Sequence, residues 1–150
     1  MPTITPFLWF DSQAEEAMNY YLSIFKNSKV LSVNRADGNV LNVSFELEGQ
    51  KFMALNGGPP FKFTEAISLF VNCETQEEVD ELWEKLSQGG EKGRCGWLKD
   101  RFGLWWQIIP SALGKLMNDP DPRKSQAVFQ ALMKMNKIVI RDLERAYAGA

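Results

Sequence analysis

The chain has 150 residues, a formal net charge of −2 and a sequence pI near 5.3. Hydrophobic residues make up 45% and charged residues 24%, which suits one globular domain with a substantial core. The acidic balance argues against a nucleic-acid footprint, and no apolar run approaches the roughly 18 residues of a membrane span.

No basic leader or cleavage pattern precedes the first strand-like segment, so no signal peptide is expected. Cys73 and Cys95 are too few for a disulfide framework, and a cytoplasmic protein with reduced thiols is expected. The chain contains no histidine. That removes the commonest metal ligand, the commonest general base and every Ser-His or Cys-His nucleophile pair. Catalysis, if any, falls to carboxylates, Lys, Cys, Tyr or a bound cofactor.

Residues 3–10 are an apolar and aromatic run that predicts a strand ending at Asp11. Ser12-Gln13-Ala14-Glu15 fits a capping box. The helix behind it carries Ala14, Ala17, Met18, Tyr21, Leu22 and Phe25 on one stripe. A strand over 29–36, a hairpin turn at Asp37-Gly38 and a strand over 40–48 follow. Glu48-Gly49-Gln50 turns the chain into a fourth strand over 51–56, and Gly57-Gly58-Pro59-Pro60 opens a loop running to about Glu65.

The pattern then restarts. A strand over 66–73 leads to a second capping box, Thr75-Gln76-Glu77-Glu78, and a helix with Val79, Leu82, Trp83 and Leu86 on one face, ended by Gly89-Gly90. Residues 11–15 and 74–78 share acid, hydroxyl, Gln, any residue, Glu, each directly after a strand: a short internal repeat.

Residues 95–110 form two strands around a Gly-containing turn and hold three of the five tryptophans. Trp105, Gln107 and Ile109 alternate with Leu104, Trp106 and Ile108. An aromatic and a single amide among apolar neighbours suit a pocket wall, and equally a core strand with one solvated Gln. Beyond Pro110, a short helix over 111–117 and a break at Asp119-Pro120 precede a helix started by Asp121 and Pro122. Val128, Phe129, Leu132, Met133 and Met135 mark its apolar face, and 138–147 adds a terminal helix. This tail reads as packing or a dimer contact rather than chemistry.

Two strand–helix–strands units, the Gly-Gly-Pro-Pro connection, and Trp97-Leu98-Lys99-Asp100-Arg101-Phe102-Gly103 followed by Trp106 carry a family likeness. The chain resembles the PhnB-like branch of the vicinal-oxygen-chelate superfamily, which includes glyoxalase I, bleomycin-resistance proteins and extradiol dioxygenases. Members of this branch often bear a demethylubiquinone methyltransferase-like label. The likeness spans the whole chain and is most specific over residues 4–11, 53–59 and 97–110.

The resemblance implies an α+β fold of paired βαβββ modules, each a curled mixed sheet, usually completed as a homodimer. It places modules at about 4–56 and 66–110 in one glyoxalase-like domain over 1–110, with 111–150 as a C-terminal helical extension. Alternation then assigns Thr5, Phe7 and Trp9, Ser44 and Glu46, Phe52, Ala54 and Asn56, Ser68, Phe70 and Asn72, and Trp105, Gln107 and Ile109 to the cup. Val43, Phe45, Leu47, Met53, Leu55, Ile67, Leu69 and Val71 fall on the helix-covered faces.

In metal-dependent relatives four cup positions hold His and Glu. Strand register puts them at Thr5, Ala54, Ser68 and Gln107, none an anionic or imidazole ligand, so neither a metal nor a cofactor is expected. The methyltransferase label lacks its motif, since Asp11-Ser12-Gln13 follows the first strand with no glycine.

The expectation is therefore a metal-free, homodimeric small-molecule binder with no nucleic-acid or membrane partner. Its ligand, planar aromatic or quinone-like, would be held by Phe7, Trp9, Asn56, Ser68, Phe70, Trp97, Trp105 and Gln107. The competing class is a lyase or transferase using Glu46, Cys95, Asp100 or an added metal. A third is a regulatory or structural dimer whose cup is filled by its own side chains. Lys99-Asp100-Arg101 otherwise reads as a turn, and Cys73 as structural.

Overall fold

In a computed structural model describing residues 1–150, the chain forms two compact units, 1–62 and 63–150. The first runs β1 (Phe7–Phe10), α1 (Ala14–Ile24), β2 (Ser28–Ala36), β3 (Asn39–Leu47) and β4 (Gln50–Asn56). Its sheet has the order β1-β4-β3-β2, with β1 parallel to β4 and the other pairs antiparallel. The second runs β5 (Leu69–Cys73), α2 (Gln76–Ser87), β6 (Glu91–Lys92), β7 (Trp97–Lys99) and β8 (Trp105–Pro110). Its order, β5-β8-β7-β6, repeats the first, again with only the outer pair parallel. The internal repeat is a repeat of βαβββ topology.

α1 packs on β3 through its buried stripe of Ala14, Ala17, Met18, Tyr21 and Ile24. Tyr21 lies 6.4 Å from Phe45, and Phe45 stacks on Phe52 at 5.5 Å between ring centroids. This corrects the expected faces of β4. Phe52 and Ala54 are buried on the helix side with Val43 and Phe45, whereas Met53 and Leu55 share the outward face with Phe7 and Trp9.

The physical reason is the turn. Glu48 and Gly49 alone make the hairpin loop, both at positive φ (47° and 86°), so Leu47 pairs with Gln50. Counting Gln50 into the turn slips the register by one residue, which exchanges the two faces of the strand.

The two helix starts also differ. Thr75 and Glu78 close the expected capping box on α2. On α1 the Ser12 box does not form; Gln13 stands at the N-cap without a side-chain bond. Asn56, from the end of β4, supplies the acceptor instead, taking the Ala14 N–H at 2.8 Å.

Beyond β8 the chain enters α3 (Ser111–Met117), α4 (Pro122–Leu132) and α5 (Ile140–Ala148). As expected, Asp121 caps α4 with Pro122 in its first turn. Ile109 of β8 joins Val128, Ile138 and Leu143 in a buried cluster, with Leu116, Met135 and Tyr147 packed around it. The segment before α5 is strapped to the sheet. Gln76 of α2 donates to the Ile138 carbonyl (2.9 Å) and accepts from the Ile140 N–H (2.7 Å). The N–H groups of Cys95 and Gly96 each donate, at 2.8 Å, to Met135 and Asn136. No helix is long and apolar enough to cross a membrane.

Candidate small-molecule site

In the second unit α2 packs on β7 and β8, burying Val79, Trp83 and Leu86 with Leu98, Trp106 and Ile108. The other face of the sheet carries the opposite set. Phe70 is paired with Gln107, Asn72 with Ile109, and Trp97 with Gln107 across β7 and β8. Cross-strand partners point to the same side, so these five side chains form one surface, as the alternation predicts.

This surface is one wall of a pocket of about 540 Å³, within the range of small-molecule sites. Leu113, Gly114 and Met117 of α3, with Leu132 and Met133 at the end of α4, line it from the tail. Cys95 completes the lining between them. Asn72, Gln107 and Ser111 are its polar side chains; Gln107 Nε2 donates to Ser68 Oγ at 2.9 Å, which orients the amide and leaves its carbonyl oxygen to accept. Trp105 stands behind Trp97, 6.4 Å away edge to face, with Lys99 Nζ 5.7 Å from its ring centre.

The sequence-based site residues thus divide. Ser68, Phe70, Trp97, Trp105 and Gln107 come together in the second unit. Phe7, Trp9 and Asn56 belong to the first. There the indole N–H of Trp9 donates to the Gly58 carbonyl at 2.8 Å, and Phe61 meets its ring edge on at 4.9 Å. Gly57 must be glycine, because a Cβ would lie 2.2 Å from the Trp9 ring. Asn56 has both amide ends occupied, by Ala14 and by the Val40 carbonyl. It is a helix cap.

The three candidate catalytic residues also separate. Asp100, buried to 1% exposure, accepts from the N–H groups of Phe102 and Leu104 and from the Trp106 indole, at 2.9–3.0 Å. It ties the turn to the core, with its carboxylate given to those three donors and away from the lining of the pocket above. Glu46 lies on the outward face of the first sheet between its ladder partners Lys29 and Lys51. Cys95 lines the pocket at φ 58°, its thiol donating to the Leu132 carbonyl at 3.5 Å. The neighbouring Arg94 guanidinium is spent on the Met133 carbonyl. Cys73 is buried in the core, and burial, aided by the charges of Glu78 and Glu74, pushes its thiol up to about 11.

The donor set does not fit the metal centre of the superfamily. Ala54 is buried on the helix side and the outward residues beside it are Met53 and Leu55, Ser68 and Gln107 are bonded to each other, and no three Asp, Glu or Cys side chains converge anywhere.

The lining residues missed from sequence are Pro110 at the end of β8 and, from the tail, Ser111, Leu113, Gly114, Met117, Leu132 and Met133. Their signal was present only as the apolar stripe of α4 and the absence of any spacer between β8 and α3.

The paired βαβββ units and an open sheet face carrying a pocket define a glyoxalase-like protein. The comparisons agree. A PhnB protein of Bacillus cereus, described as a 3-demethylubiquinone-9 3-methyltransferase, is 39% identical with a TM-score of 0.69, over 73% of this chain and 99% of its own. Protein PA1353 of Pseudomonas aeruginosa shares the fold at 20% identity and a TM-score of 0.61, over 73% of this chain and 98% of that one. The fosfomycin resistance protein FosX of Listeria monocytogenes, solved with Mn(II) and sulfate, does so at 17% and 0.51, over 70% and 88%. No protein of curated function matches.

The model of the 3-demethylubiquinone-9 3-methyltransferase family matches residues 2–109. The chain belongs to that family, the PhnB-like branch of the glyoxalase/bleomycin resistance/dioxygenase superfamily. The match ends at residue 109, so α3, α4 and α5 stand outside the shared part.

Proposed function

We propose that the protein binds a small organic molecule without a metal, in the pocket of its second unit, and works as a homodimer. The pocket itself carries this reading: about 540 Å³, with Phe70, Trp97 and Ile109 as apolar walls and Gln107 as the one oriented amide of the sheet's centre. Flat apolar walls with a few pre-set hydrogen-bonding groups, Gln107 at the centre and Asn72 and Ser111 beside it, favour a planar aromatic or quinone-like ligand. Sequestration of a toxic compound is a use that such a pocket supports. Exposed Phe7 and Met53, on one face of the first sheet, support association with a second copy.

The family's methyltransferase description finds no support in the fold. S-adenosylmethionine-dependent transfer ordinarily relies on a Gly-rich loop after the first strand of a doubly wound parallel sheet. Here each sheet is mixed, and Asp11-Ser12-Gln13 follows β1. A lyase or transferase remains the second reading, favoured by Cys95 on the pocket lining; Cys95→Ser would then abolish turnover while sparing binding.

Native mass spectrometry with elemental analysis, on protein purified without added metal, tests the first reading. A dimer free of transition metal, or carrying an organic adduct, is expected. A stoichiometric transition metal would overturn the metal-free claim.

A further inference from the structure

Gly114 is the one glycine that lies inside a helix or strand. Such a residue costs about 1 kcal/mol relative to alanine in a helix interior, so something should require it. Conformation does not, because its φ lies outside the left-handed region. Packing does not, because a Cβ built there meets nothing within 4 Å. Gly57, Gly90 and Gly96, by contrast, would each place a Cβ within 3.0 Å of a neighbour. What Gly114 does have is an exposed place on the pocket wall, between Leu113 and Met117 of α3, where the open space beside it is at the pocket's mouth.

We propose that Gly114 sets the width of the pocket, and that the C-terminal helices, which the family match does not include, are its ligand-selecting wall. This rests on the binding reading above and narrows its ligand class. Phe70 and Trp97 offer one apolar surface, and Met117 and Met133 offer the opposing, adaptable one. The missing side chain leaves room between them for a fused-ring compound, wider than a single ring, with a hydroxyl or amine proton directed to the Gln107 carbonyl or an oxygen near its amide. The wall is held in register by the straps from Gln76, Cys95 and Gly96 to residues 135–140, so its distance from the sheet is fixed by bonds rather than by the ligand.

The full chain would be titrated calorimetrically with anthraquinone-2-sulfonate (three fused rings) and 4-hydroxyacetophenone (one ring), as wild type and as Gly114→Leu. The proposal expects the variant to bind the three-ring probe at least tenfold more weakly. The one-ring probe should change less than twofold, and the unfolding temperature should hold or rise, since leucine is the better helix former. Equal weakening of both probes, or a fall in unfolding temperature, would overturn it. So would unchanged binding of the three-ring probe by Gly114→Leu while Gln107→Ala and Phe70→Ala lose it, which would leave the binding reading standing. Failure of both probes to bind the wild type would remove that reading and this proposal together.

Discussion

Asp100, between Lys and Arg in a turn, has a structural role that the sequence alone does not announce. Its three hydrogen bonds and near-complete burial make it the acceptor that the Trp106 indole and two turn amides require. Asp100→Ala leaves those donors buried without partners, and urea denaturation should register a loss of about 3 kcal/mol. The two thiols are distinguished in the same way. Cys73, pushed up to about 11 by burial and its acidic neighbours, stays protonated through neutral and mildly alkaline pH. N-ethylmaleimide at pH 8 should therefore label Cys95 and leave Cys73 unmodified in the folded chain, as peptide mass mapping would read. Gln107 was legible from sequence because alternation isolates it among apolar neighbours. Gly114 was not, since nothing along the chain says which glycine has an empty space beside it.

At the scale of elements, strand alternation within β1, β5 and β8 sufficed to find their outward faces. It failed on β4, where the boundary of one two-residue turn decides the parity of the whole strand. The cap of α1 was illegible for a different reason: its acceptor, Asn56, lies 42 positions away in sequence. Asn56→Ala should cost about 1 kcal/mol in thermal or urea unfolding, like the loss of a local cap, without affecting ligand affinity. The tail carries its own clasp, in which the Tyr147 hydroxyl donates to Asp119 at 2.6 Å. That bond holds the Asp119 carboxyl below its ordinary value and Tyr147 above its own. The Asp119 contribution is thus fully present above the usual carboxylate range and is lost as pH falls through its depressed value. The Tyr147 contribution is present below the ordinary tyrosine range and is lost as pH rises through its raised one. Tyr147→Phe should return Asp119 toward the ordinary carboxylate range in a carbon-detected NMR pH titration.

For the whole molecule, the family core accounts for two βαβββ units, and the sequence announced both through repeated order and turn chemistry. The role of the tail was hidden, because its apolar stripe fits packing, dimerisation and pocket building equally well. The bonds from residues 94–96 and Gln76 to residues 133–140, with the apolar cluster on Ile109, bring α3 and the end of α4 against the open face of the second sheet. The central claim is that this composite pocket receives the ligand. Five of the six methionines are spread to report on it: Met18 lies in the first unit's core and Met53 on its outward face, Met135 packs in the tail, and Met117 and Met133 line the pocket. The most direct measurement is therefore a titration of methyl-13C-methionine protein with anthraquinone-2-sulfonate, followed by methyl NMR. The account predicts saturable shifts of the Met117 and Met133 methyls, with Met18 and Met53 unmoved. Shifts confined to Met53, or no saturable shift at any methionine, would contradict it.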